Sequence, residues 1–274
     1  METNGINYDE HIIYDKEFLK SQLKFKDATI IEAAASNTLM LPHDPFPNAI
    51  ALKTVIKQLN AKPLAYITNF NEPEIHDYHG QAEIPETALF YSLDKNTIFS
   101  LPKTGYSPEN DHIVRHCTYK IAIENEIKNI ISIGMFKDKI NKNGDGFYYT
   151  GAYDGDEYTD KILDSFKAKP LNSRGSLKDH HAYMIQDIAQ QRRGAQNEDR
   201  TPVNCMVIKA GIKYDEFPSF DNVVNSSKTI YQGICSLLDM AVNENLFSEM
   251  CEKQKMRIDD FYNKNTPDLD HMFA

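Results

Sequence analysis

Apolar runs of strand length, each closed by turn residues, constrain this chain more than any other feature. They fall at residues 28–35, 64–70, 87–93, 97–101, 127–135, 147–153 and 203–212. Each is long enough for a buried strand and too short for a bilayer. Asp94-Lys95-Asn96 between two of them predicts a hairpin, and Asn141 to Gly146 predicts a tight turn. Residues 116–124 alternate, with Tyr119, Ile121 and Ile123 on one face, and predict a further strand. Connections this short predict antiparallel pairing in the middle of the chain.

Helical spacing occupies the flanks. Residues 16–25 predict a short helix. Pro47 or Asn48 can start another, whose Leu52, Val55, Ile56 and Leu59 share a face. Further helices are predicted at 157–168, 176–193, 227–243 and 246–262. The fold class that follows is α+β: a central, mostly antiparallel sheet with helices packed on one side and a mainly helical C-terminal half. A single domain over 1–274 accommodates it, any subdivision falling near 155–175.

Charge narrows the partners. The net charge is −10, which repels nucleic-acid backbones and anionic membranes. It leaves a protein substrate or partner, with a basic surface favoured, and predicts weak self-association. No apolar run inserts into a membrane, and residues 1–9 lack the pattern of a secretory signal. Cys117, Cys205, Cys235 and Cys251 form no CxxC pair, so reduced thiols and a cytoplasmic location are expected, the cytosol of a host cell included.

Several groups could carry chemistry. Asn141, Asn143, Asp145 and Gly146 imitate the start of a calcium loop, but Ala152 stands where a bidentate Glu is needed, so a turn is favoured. Asp154 and Asp156 could hold a divalent cation for a metal-dependent transferase, although Asp156-Glu157 suits a helix start better. His76 and His79 lack further zinc ligands, and His181 lies on an apolar stripe. No metal site is therefore assigned. Among the cysteines, Cys235 follows Gly233. A helix starting there would put the thiol in its first turn, where the dipole favours a thiolate; a start at residue 227 would bury it.

The run from Cys235 through Phe247, continued by Glu249, Lys255 and Asp259, resembles the nucleophile helix of the YopJ family, over about a tenth of the chain. Those proteins are bacterial effectors, acetyl-CoA-dependent Ser/Thr/Lys acetyltransferases on a cysteine-peptidase-like fold. The resemblance implies a thiol-dependent acyltransferase or hydrolase acting on protein, with Cys235 as nucleophile, His116 as base and acetyl-CoA as cofactor. The second strand carries no acid where the family has one, which leaves Glu124, Asp138 or Asp145 as substitutes. His181 is an alternative base with a more typical spacing but a helical pattern. The spacing from His116 to Cys235 exceeds the family's, and the family's glutamine before the Cys is absent unless Gln232 replaces it. The competing reading is a non-catalytic protein-interaction module.

Overall fold

The computed structural model describes residues 11–21, 23–33, 47–68, 76–78, 81–83, 86–102, 108–137, 146–153, 155–171, 203–212 and 220–265. The predicted helix at 176–193, with His180 and His181, lies outside them. So do His79, Asp138, Asn141, Asn143, Asp145 and Asp154.

The elements run β1 (Ile12–Tyr14), α1 (Lys16–Ser21), β2 (Thr29–Ala33), α2 (Pro47–Gln58), β3 (Lys62–Ile67), β4 (His76–Tyr78), β5 (Gln81–Glu83), β6 (Thr87–Ser92) and β7 (Thr97–Pro102). They continue with α3 (Pro108–Glu124), β8 (Asn129–Lys137), β9 (Phe147–Ala152), α4 (Glu157–Phe166), β10 (Lys169–Pro170), β11 (Asn204–Ile212), α5 (Phe220–Leu237) and α6 (Glu244–Asn265). Among the described residues, β4 and β5 pair only with each other.

The other strands form one sheet in the order β1-β3-β6-β7-β2-β8-β11-β9-β10. Pairing is antiparallel from β1 to β7 and parallel across β7-β2-β8-β11. It is antiparallel again at β11-β9 and parallel at β9-β10. The α+β class therefore holds, but the sheet is mixed rather than mostly antiparallel. The reason lies in residues 116–124, which are the end of helix α3 and not a strand. Ile113, Val114, Cys117, Ile121 and Ala122 are buried at helical spacing. α3 carries the chain from β7 across β2 to β8, the crossover that parallel strands need.

Helices also cover both faces, not one. Ile31, Phe99, Ile131, Met206 and Ile208 point into a core shared with α2, α4, α5 and α6. Their neighbours Ile30, Ile98, Ile130 and Cys205 point into a second core, closed by α3. Strands buried on both faces read as unbroken apolar runs, which is how β2, β7 and β8 stand out in the sequence.

Two glycines set close approaches. A Cβ on Gly233, in mid-α5, would come within 2.5 Å of the Phe166 ring. One on Gly151, in β9, would lie 2.2 Å from the Cys205 carbonyl oxygen. The Tyr231 hydroxyl ties α5 to its neighbours. It donates to Gln58 Oε1 on α2 and accepts from the Asn243 N–H at 2.9 Å, ahead of α6.

Candidate functional site

The proposed thiol site is not assembled. α5 begins at Phe220, so Gly233 does not start it. Cys235 sits in the last turn, where the helix dipole disfavours a thiolate. Its side chain is fully buried in the α5 core, and desolvation pushes the thiol pKa up. His116 is on α3, across the whole sheet from that core. Glu124 ends α3 in solvent, 3.7 Å from Lys120 one turn back. Cys205 and Cys251 are also buried, with thiols raised to about 12 and about 11 by desolvation first.

The most deeply buried of the described ion pairs is elsewhere, and sequence reasoning missed it. Glu32 in β2 forms an ion pair with Arg115 of α3, their side chains only 2% and 3% exposed. Ser132 of β8 donates to Glu32 Oε2 at 3.0 Å, and Arg115 Nη1 donates to Ser132 Oγ at 3.5 Å. Ser100, Glu32 and Ser132 occupy one row across β7, β2 and β8. The Ser100 hydroxyl is buried with no hydrogen-bond partner among the described residues. The available signal was a carboxylate in the middle of Ile30-Ile31-Glu32-Ala33, which a buried strand tolerates only with a partner.

Asp156 has a local role. It caps α4, its carboxylate accepting from the Thr159 N–H at 2.8 Å. Lys128 lies 3.0 Å away. The surface depression around it also holds Asp160, Asp164 and the Lys161–Asp239 pair at 2.7 Å. Among the described residues no group of His, Cys, Asp and Glu is placed to hold a metal ion.

The bond from Thr159, then Lys128, lowers the Asp156 pKa to about 2. A lowered folded-state pKa stabilises above the unfolded value of about 3.9, and that stability fades as the pH falls towards 2. Asp156→Asn keeps a cap but not the charge. Its stability deficit relative to wild type should shrink below about pH 4. Asp156→Ala should cost about 1 kcal/mol near neutrality. Urea unfolding across this pH range checks both; a deficit for Asp156→Asn that does not change with pH would contradict the assignment.

With this geometry in hand, the fold can be matched. The chain is similar to PbaA of Pyrococcus furiosus, an archaeal homologue of proteasome-assembly chaperone, with a TM-score of 0.59 at 17% identity. The match covers 88% of this chain and 96% of that one. It is also similar to PbaB of Pyrococcus furiosus, an archaeal proteasome activator: TM-score 0.57, 13% identity, 91% and 98% covered. A Thermoplasma acidophilum protein of unknown function gives 0.58 at 11% identity, with 91% and 96% covered. No protein-family model matches the chain, and no curated protein matches it in sequence.

These similarities correct the sequence reading. The architecture is that of the PbaA and PbaB structures, not the cysteine-peptidase-like fold of YopJ acetyltransferases. The resemblance around Cys235 reflects the apolar spacing of two packed helices, α5 and α6. The acyltransferase and effector readings fall with it, as does the acetyl-CoA they implied. No helix among the described residues is long and apolar enough to cross a membrane.

Proposed function

We propose that this chain is a non-catalytic protein-binding module that acts in the cytoplasm as a proteasome-assembly chaperone or activator. The observation that carries this is the extent of the structural similarity. Nearly the whole of PbaA and of PbaB is matched, by most of this chain, so the likeness concerns an entire architecture rather than a shared motif. A net charge of −10 supports a partner with a basic docking surface. In this reading Cys235 is a packing residue of the α5 core.

The test uses the proteasome of the organism that encodes the chain. The purified protein is mixed with free α-subunits and, separately, with assembled core particles, and each mixture is run in sedimentation velocity. Co-sedimentation with one of them is expected, weaker at high salt because the attraction between the surfaces is screened. Cys235→Ala should bind equally well. Failure to bind either form would sink the reading.

A further inference from the structure

Two unanswered hydroxyls border the Glu32–Arg115 pair. Among the described residues, Ser100 Oγ and Thr118 Oγ1 are the buried side-chain polar atoms without a hydrogen-bond partner, and both residues are fully buried. Buried polar groups are nearly always satisfied, so each of these needs a cause. They are not scattered through the fold. Ser100 of β7 is in register with Glu32 of β2, and Glu32 with Ser132 of β8. All three stand two residues beyond Ile98, Ile30 and Ile130, so their side chains share the face that α3 covers. Thr118 follows Arg115 by three residues, one turn along the same side of α3.

The two serines flank one carboxylate and behave differently. Ser132 donates to it at 3.0 Å, while Ser100 makes no bond. Arg115 and Ser132 together occupy two of the roughly four acceptor positions that a carboxylate offers. Thr118 is equally unusual. Thr54 and Ser227, buried in other helices, donate to the carbonyls of Ile50 and Val223 four residues back, at 2.9 and 2.7 Å. Thr118 makes no such bond, which leaves its hydroxyl for a partner outside the helix backbone.

We propose that this cluster is a binding site for internal water, which bridges the Ser100 hydroxyl to the Glu32 carboxylate and gives Thr118 its partner. The chemistry selects the ligand. The carboxylate needs a donor, and each hydroxyl can take a donor or an acceptor. A cation is repelled by the Arg115 guanidinium and an anion by Glu32. A small neutral molecule that both donates and accepts fits, and buried water typically makes about three such bonds. Arg115 ties α3 to β2 and β8; the water ties the helix to β7 as well. The inference is independent of the chaperone reading.

The test is a crystal structure of the full wild-type chain at a resolution that shows solvent, joined to thermal unfolding of Ser100→Ala and Thr118→Val. An ordered water is expected about 2.7–3.2 Å from Ser100 Oγ and within reach of Glu32, with the same water or a neighbour on Thr118 Oγ1. The crystal readout needs no variant to fold. The variants decide by sign. Removing a hydroxyl that bonds a held water should lower the melting temperature by about 2 °C or more. Removing one that is dry and unsatisfied should raise it, because its burial was a cost. Absence of water at Ser100, a Ser100 hydroxyl turned to donate directly to Glu32, or a melting temperature that is unchanged or raised in Ser100→Ala would each overturn the proposal.

Discussion

Replacing Arg115 by methionine is expected to cost about 3–5 kcal/mol of stability, the usual penalty for removing one partner of a buried ion pair. Glu32 would be left buried on the face that carries Ile30, Ile98 and Ile130, with Ser132 as its remaining partner among the described residues. The double variant Glu32→Gln/Arg115→Met should recover most of the loss, because a neutral amide leaves no uncompensated charge. Chemical denaturation of the wild type, both single variants and the double variant closes a thermodynamic cycle. Additive losses would show that the two residues are not coupled, and that Arg115 contributes through its other interactions instead.

The second large effect is expected at Gly151. Alanine there puts a carbon 2.2 Å from the Cys205 carbonyl oxygen, well inside contact distance. The obstacle is main chain in the neighbouring strand, so no rotamer change relieves it. Overpacking of this kind costs about 1–3 kcal/mol, and the upper end applies where the backbone must move. For Gly233→Ala the three nearest atoms all belong to the Phe166 ring, a side chain rather than main chain, so it should cost less. Thermal unfolding of the two variants should therefore rank Gly151→Ala below Gly233→Ala. The reverse order would mean that β9 yields more easily than the α4–α5 contact.

The strands were legible because their burial on both faces leaves a plain apolar run. β2, β7, β8 and β11 were each found within two residues of their ends. α2 was equally plain, with Leu52 and Val55 buried on the predicted face. α3 was not, because Tyr119, Ile121 and Ile123 alternate over a stretch too short to distinguish the strand period from the helix period. Pro108 followed by Glu109 and Asp111 was the neglected helix-start signal. That one misreading turned a crossover into a hairpin and made the sheet look antiparallel.

The site failed for another reason. The position of Cys235 depends on where α5 begins. A start at Gly233 exposes the thiol to the helix dipole, a start at residue 227 buries it, and the structure starts the helix earlier still, at Phe220. In the structure that glycine makes room for Phe166, a contact from a separate helix that no local pattern records. Nor does sequence spacing reveal that α3 and α5 lie on opposite faces of the sheet. The Glu32–Arg115 pair joins residues far apart in the chain, and only the fold brings them together.

The order of the central strands has a consequence for how the protein is made. Asn129 of β8 pairs with both Thr29 and Asn204, so β8 needs one neighbour made long before it and another made long after. A chain emerging from the ribosome presents β2 first, and β2 must wait for β7 and β8 before its edges are covered. Even then β8 stays open until β11 has cleared the exit tunnel. Until that point the nascent chain carries an unfilled slot in the middle of its sheet, and synthesis has to pass residue 212 before the slot closes.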